Sequence, residues 1–502
     1  MVGMSSPGDA KDIAEQASPR TLELAGRLRA AIGAAKVLTD PAQLRTYECD
    51  GLEAFRVRPG VVVLAEHRDD VVRTVKLCAE AGIPFVARGS GTGLSGGAVP
   101  VADGVLIVLS RLRQIVDVDP DNARMVVEPG VINLWVTREA APHDQLYAPD
   151  PSSQQVCSIG GNVAENSGGA HCLKYGFTVN HVMGAEVVLA DGEVVHLGGR
   201  APEHPGFDLL GAFVGSEGTL GVVTEVTVRL LRVPESVQTM LVGFHSVADA
   251  AGTVSDIIAA GILPAAIEMM DALAIEAAEA AVRCGYPGGA EAVLVIELDG
   301  PQVEVDEQFG HVETLARARH AFETRIAADA EDRALMWRGR KSAFAAVGRI
   351  SPSYYVQDGV IPRTRLPEIL AAMSTLADEA NLRVANVFHA GDGNLHPLIL
   401  FDDAVPGASK AAEDLGFAIL DLCIEAGGSI TGEHGVGLEK KSKMAGQFSP
   451  ADLDTMQLVR CAFDPDGLAN PGKLFPTPRL CGERPGVRTA DTAPDPALGE
   501  VF

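Results

Sequence analysis

The amino-acid sequence predicts an α+β protein of two domains, and three observations carry that prediction. Between residues 59 and 234, short apolar runs and amphipathic helical segments alternate with three glycine-dense loops. From about residue 239 the texture changes to strands and helices separated by polar turns, the pattern of an α+β unit carrying an antiparallel sheet. The chain is also long and apolar enough for more than one core, with 502 residues of which 47% are hydrophobic and 22% charged.

Residues 1–20 are polar, with no apolar stretch of the secretory kind, and read as a flexible leader. Thr21 to Ile32 places Leu22, Leu24, Leu28 and Ala31 at helical spacing and stops at Gly33. Val61–Leu64 reads as a strand. Asp69 and Asp70 open a helix whose Val72, Val75, Cys78 and Ala79 share a face before Gly82 ends it. Pro84 to Ala87 is the next strand, so a β-α-β unit precedes the first glycine loop. Strands follow at 105–109, 116–118 and 124–128, and Val131 to Ala140 is helical. Val233-Pro234 closes this segment. Beyond it, 240–244, 266–270 and 292–298 read as strands, and 248–260 and 272–282 as helices. Residues 479–502 are Pro-, Arg-, Asp- and Ala-rich without periodicity and read as a disordered tail.

The first loop, Arg88 to Ala98, holds five glycines in eleven residues. Such density costs backbone entropy, so the chain needs positive φ or close approach of bare amides to a ligand there. Successive amides form a concavity suited to a phosphate. Gly91-x-Gly93-x-x-Gly96 has the spacing of a nicotinamide dinucleotide fold, but that fold needs a helix immediately afterwards. Here Pro100, Asp103 and Gly104 lead into another strand, so the stretch is a strand-loop-strand cradle. Two more glycine-dense loops, 150–169 and 215–224, belong with it as one extended site, since ordinary connections are about 4–6 residues long.

The formal charge is −26, so the average surface repels nucleic acid and anionic membranes, and an anionic substrate needs a local cationic site. Eight cysteines, at 49, 78, 157, 172, 284, 423, 461 and 481, form no C-x-x-C pair. They read as reduced thiols of a cytoplasmic protein and exclude an iron–sulfur cluster of the usual spacing within the chain. No apolar run approaches the roughly 20 residues that span a bilayer, so any membrane contact would come through a partner.

The residues richest in chemistry come late. His389 and His396 lie seven apart around Gly391-Asp392-Gly393-Asn394, and Glu433 with His434 sits between Gly432 and Gly435. Two imidazoles and a carboxylate suit a divalent ion with an open position, and the remaining imidazole suits a base. In Trp337-Arg338-Gly339-Arg340-Lys341, a buried guanidinium would be a natural bidentate partner for a carboxylate.

On Arg88 to Pro100, Asp150 to Gly169, Gly215 to Glu225, His389 to His396, Gly428 to Gly437 and Asn470-Pro471-Gly472-Lys473, residues 40–476 resemble the FAD-linked 2-hydroxy acid dehydrogenase family of the vanillyl-alcohol oxidase (PCMH) type, the glycolate oxidase catalytic subunit and D-lactate dehydrogenase branch in particular. The resemblance implies a PCMH-type FAD-binding domain of two α+β subdomains over 21–234, an FAD-linked oxidase cap domain over 235–460, and a segment, 461–478, that returns to the FAD. It places Arg88, Gly89, Ser90, Gly91, Thr92, Gly93 and Leu94 at the pyrophosphate. Pro151, Ser152, Ser153, Gly160, Gly161, Asn162, Ala164, Asn166, Gly168, Gly169, Glu217, Gly221, Val222, Val223 and Asn470 would line the rest of the cofactor. His389, His396 and Glu433 match metal ligands (zinc, manganese or iron), His434 the base and Arg340 the carboxylate clamp.

No histidine lies between Arg88 and Val99, so the FAD is expected to be non-covalent. Where the hydroxyglutarate branch has a lysine and an asparagine, this chain has Val356 and Leu398, which favours a small monocarboxylate such as glycolate or D-lactate. The resemblance further implies a separate iron–sulfur subunit as electron acceptor; a homo-oligomer is left open. Of the other readings, a non-catalytic FAD-binding or assembly subunit would lack the metal set, and an ether-forming FAD enzyme would not reduce a dye.

Overall fold

Ser18 accepts a hydrogen bond from the Thr21 amide and starts a helix over Pro19–Ile32, so the last residues of the expected leader are already ordered. The structure is a computed structural model that describes residues 17–201, 205–476 and 481. The rest of the leader, and the expected tail apart from Cys481, lie outside the described residues.

The β-α-β unit forms as expected. Strands Val61–Leu64 and Phe85–Arg88 each pair in parallel with Val105–Val108, and Val37–Leu38 adds an antiparallel edge. The crossover helix Arg68–Ala81 ends at Gly82 in the left-handed region, φ 56°. It buries Val71, Val75 and Cys78 against Val61, Val63, Phe85 and Ile107. After Arg88 the chain runs without a helix to the strand at 105. A second, antiparallel sheet has the order 115–119, 124–127, 222–229, 182–188, 194–198, and its core is Val127, Val187, Val226 and Val228 with Ile159 and Val163.

One difference lies inside the second glycine loop, where Ile159–Glu165 is a helix. Gly160 has no room for a side chain, because a Cβ there would sit 2.6 Å from that of Pro129. The glycines therefore serve close packing of a helix as well as loop freedom.

The second domain is built on an antiparallel sheet in which 323–326, 236–244, 292–300, 266–271 and 383–389 are neighbours. Alternate residues face opposite ways, the period of a strand. Met240, Val242, Leu294 and Ile296 meet helices 247–259, 302–318, 366–379 and 408–425. Leu241, Val293, Val295 and Met270 meet helices 272–282 and 330–347. The basic triplet thus lies on a helix, with Arg340 inward and Arg338 outward. Helix Pro450–Phe463 crosses the expected boundary at 460. The chain then returns to the first domain, where the Asn470 amide bonds the Phe85 carbonyl and Lys473 the Val99 carbonyl.

The expectation of eight reduced cysteines is corrected. Cys461 and Cys481 form a disulfide with Cα atoms 5.4 Å apart, and the other six are free. A test for local C-x-x-C spacing does not see a pair joined by a chain that doubles back over twenty residues, and the disulfide removes the cysteine argument for a reducing compartment. Among the described residues no helix is long and apolar enough to cross a membrane.

His171 joins the two domains. Its Nδ1 lies 2.9 Å from Asp150 and its Nε2 3.0 Å from Glu297, and Glu297 also accepts from Thr239 and Trp337, both at 2.6 Å. Lys174 and Tyr175 close on Asp299 alongside. Burial disfavours charge on His171, but Asp150 and then Glu297 outweigh it and push its pKa up to about 10. Unfolded histidine titrates near ~6.5. The stabilisation is therefore complete below that pH and lost as pH rises through about 10. Thermal unfolding followed from pH 6 to 10 should show melting falling with pH, and His171→Gln should flatten that slope while costing about 3 kcal/mol at neutral pH. Parallel slopes in the two proteins would refute the assignment.

Candidate active site

Three chain segments converge on one cleft, walled by residues of the 87–98, 151–167 and 213–223 stretches. Of the expected cofactor residues, Arg88 to Gly93, Leu94, Pro151, Ser152, Ser153, Gly160, Gly161, Asn162, Ala164, Glu217, Gly221 and Val223 line it. The amides of Gly91, Thr92 and Gly93 have no hydrogen-bond partner among the described residues, as an anion-binding concavity requires. Gly91 has φ 71°, which favours glycine, and a Cβ at Gly89 would displace the Ser158 hydroxyl that accepts from the Ser90 amide at 3.3 Å. These features fit the pyrophosphate of a dinucleotide.

Five expected cofactor residues stand behind the wall. Asn166 accepts from the Val179 amide at 2.8 Å. Gly168 lies against Glu433, and Gly169 against Asp150. Val222 is buried in the first domain's core. Asn470 donates to the carbonyls of Gly97, at 3.0 Å, and Glu217, at 2.6 Å, so it binds two wall segments together.

Glu433 and His434 close one end of the cleft. Strand Arg383–His389 turns through Gly393, φ 80°, and returns through Asn394–Leu395. This hairpin brings the rings of His389 and His396 within 5.1 Å. Glu433 Oε1 lies 3.4 Å from Nε2 of both. The candidate ligand atoms of the three residues all lie within 4.8 Å of one another. Glu433 Oε2 and both ring nitrogens of His396 are buried without a hydrogen-bond partner. Burial would raise the Glu433 pKa, but His389 and His396 hold it down to about 2. Buried acceptors left open around an ionised carboxylate fit a divalent cation.

His434 stacks on His396, with centroids 5.0 Å apart. Burial lowers its pKa to about 4, His396 and Lys440 reinforcing and Asp358 opposing. The imidazole is therefore neutral at pH 7 and able to accept a proton.

Arg340 is buried and lies over the Phe344 ring, 5.9 Å from its centroid. It is not free, because Nε and Nη2 reach Glu268 at 2.7 and 2.6 Å. Two further carboxylates, Asp358 and Glu165, escape motif reading, and a third, Glu217, expected only as a cofactor residue, also holds backbone. Asp358 collects the backbone of residues 432–434, the Thr431 hydroxyl and Lys440. Glu217 accepts the Val436 and Gly437 amides, both at 2.7 Å. Glu165 packs its carboxyl against Gly435 with Oε2 buried and unpartnered, and burial together with Glu217 pushes its pKa well above the carboxylate range. Only the Glu-Gly and Asp-Gly pairs at 217–218 and 358–359 hinted at special backbone there.

A glycine-walled dinucleotide cleft on two α+β sheets, capped by an antiparallel domain, defines a flavoprotein of the PCMH type. Residues 59–198 match the FAD binding domain family, and residues 233–474 the family described as FAD linked oxidases, C-terminal domain. The chain is 51% identical to glycolate oxidase subunit GlcD of Escherichia coli strain K12 over 91% of each chain. It is 38% identical to the Bacillus subtilis protein of that name, covering 86% of this chain and 92% of the other. It is 33% identical to a D-lactate dehydrogenase of Anaerostipes hadrus, covering 84% and 90%. Among solved structures it resembles p-cresol methylhydroxylase with substrate bound (TM-score 0.77, 19% identity, 92% and 98% covered) and alkyldihydroxyacetonephosphate synthase (0.72, 17%, 90% and 86%). The chain belongs to the FAD-linked oxidase family and is an FAD-linked oxidoreductase.

Gly89→Ala should weaken FAD about tenfold, because the new methyl displaces the Ser158 hydroxyl and breaks its bond to the Ser90 amide, which ties the two loops together. Flavin retained after desalting, followed by titration with FAD, measures this; retention equal to wild type would refute the close-approach reading.

Proposed function

We propose that the protein oxidises a small 2-hydroxy monocarboxylate, glycolate or D-lactate, to the 2-oxo acid. The observation that carries this is the placing of a neutral imidazole, His434, beside an open His₂-carboxylate set at one end of the FAD cleft. The names of the relatives, glycolate oxidase subunit and D-lactate dehydrogenase, point to the same chemistry.

His389, His396 and Glu433 would hold a divalent ion. Bound FAD supplies the two-electron acceptor for the C2 hydride, and the ion supplies Lewis acidity toward the substrate oxygens. His434 takes the hydroxyl proton at an imidazole nitrogen that burial keeps neutral. Arg340 offers Nη1, which has no partner among the described residues, to the substrate carboxylate. Glu268 balances Arg340 and Asp358 balances Lys440, so both buried cations at this end are paired before a substrate arrives. Val356 and Leu398, which pair across adjacent strands, offer no cation to a second carboxylate.

The FAD is held without a covalent bond. Cys157 lines the cleft, but burial raises its pKa, which leaves the thiol a poor nucleophile. The relatives' names describe a subunit, and the resemblance to the glycolate oxidase branch assigns the electron acceptor to a separate iron–sulfur partner. Acid precipitation should release all the flavin into the supernatant.

Anaerobic flavin bleaching against a panel of D- and L-2-hydroxy acids tests the function. Glycolate and D-lactate should bleach the flavin, and a dicarboxylate such as D-2-hydroxyglutarate should do so at least tenfold less well. Removal of one stoichiometric metal per chain should abolish bleaching reversibly. His434→Ala should slow the bleaching step by about 10²–10⁴-fold with FAD content unchanged. Near wild-type bleaching in that variant would refute the base assignment, and absence of a bound metal would refute the ligand set.

A further inference from the structure

Glu268 lies within strand 266–271, opposite His389 in register at the end of the neighbouring strand. It is 1% exposed, and both its oxygens are used. Oε1 lies 2.7 Å from His389 Nδ1, while Oε2 takes Arg340 Nε and Nη2. We propose that Glu268 is a positioning residue that serves two groups at once, fixing His389 with Nε2 toward the metal and setting which edge of Arg340 is left for the substrate carboxylate. The proposal rests on the metal reading above.

The argument is geometric. Nδ1 can point at a carboxylate only as an N–H donor, so Nε2 of the neutral ring carries the lone pair. That nitrogen faces Glu433 Oε1, on the side where His396 also presents Nε2. A carboxylate behind a ligating imidazole fixes the tautomer and raises its basicity. The same carboxylate takes two of the guanidinium's three nitrogens and leaves Nη1 open. Arg340 therefore presents an edge whose direction is set from behind, and its charge is already balanced when substrate arrives. A strand position with both oxygens engaged cannot shift to favour one partner without releasing the other. Ion and substrate carboxylate are coupled through it.

Divalent-ion affinity of metal-stripped, FAD-loaded protein, measured by chelator competition with Mn²⁺ or Zn²⁺, decides the matter. Four proteins are compared: wild type, Glu268→Gln, Arg340→Met and the double variant. The double variant removes both buried charges together and stays informative if Glu268→Gln alone is poorly folded. FAD content and near-UV circular dichroism monitor the fold. Loss of the carboxylate should weaken the ion by about 10- to 100-fold in Glu268→Gln and in the double variant. Arg340→Met should bind the ion at or above wild-type affinity while raising KM for glycolate. Wild-type affinity in Glu268→Gln, or its recovery in the double variant, would mean that Glu268 merely balances Arg340 and would overturn the proposal. Failure of wild type itself to bind an ion would instead overturn the metal reading and this inference with it, so the two failures are distinguishable.

Discussion

The segment that carries Glu433 and His434 has no secondary structure of its own, and one buried carboxylate holds it. Asp358 takes the amides of Gly432 and His434 at 3.1 and 2.9 Å and the Thr431 hydroxyl at 2.6 Å. Charge-assisted bonds of this kind are about twice as strong as neutral ones. The Asp358 pKa stays well below the usual range because Lys440 and the neighbouring imidazoles outweigh burial. Lys440 is itself fully buried and also reaches the Gly435 carbonyl. Without Asp358 the amides of a buried loop would have no acceptor, and the His434 imidazole no fixed place. A second carboxylate, Glu217, reaches the same loop from the first domain through Val436 and Gly437. The loop is thus suspended between two acids, one from each domain, and the cleft wall and metal set share one frame.

Much of this architecture is legible in the sequence, for reasons that differ by residue. Val61–Leu64 and Phe85–Arg88 are apolar because parallel strands are buried on both faces, and Gly82 marks its helix end because only a left-handed residue fits there. His389, His396 and Glu433 could be grouped because glycine-rich turns around polar residues leave few uses for them. What was not legible depends on distance in the chain. Glu268, 121 residues from His389, sits in Ile-Glu-Met-Met, a run indistinguishable from an ordinary strand. Cys461 and Cys481 meet only because the chain returns after Phe463. Arg340 could be picked out from its basic triplet, but its Glu268 partner could not, so the clamp is better described as one half of a buried ion pair.

Charge explains the division of labour between the domains. The chain is strongly acidic overall, at −26, yet the cofactor cleft presents unpaired amides rather than lysines to the phosphates. Amides bind an anion through dipoles that need no counter-ion, and the one Lys or Arg among the cleft-lining residues, Arg88, has its guanidinium packed against Gly91 and bonded to the Cys49 carbonyl. Cations instead appear buried and paired, as Arg340 with Glu268 and Lys440 with Asp358.

That pairing bears on why the proposed substrate determinants lie in the cap rather than in the FAD domain. Buried ion pairs gain little net stability over apolar packing, so their retention at one end of a cleft calls for another reason. Each pair here fixes a reacting or binding group in a loop or strand end that packing alone leaves loose. Asp358 with Lys440 fixes the His434 loop, and Glu268 with Arg340 also bonds His389 Nδ1. The FAD domain needs no such device, because its glycine loops shape backbone around a cofactor that stays. On the proposed function the cap would instead receive and release a small anion at each turnover, and a guanidinium whose charge is already balanced would bind that anion firmly enough to orient it without trapping it.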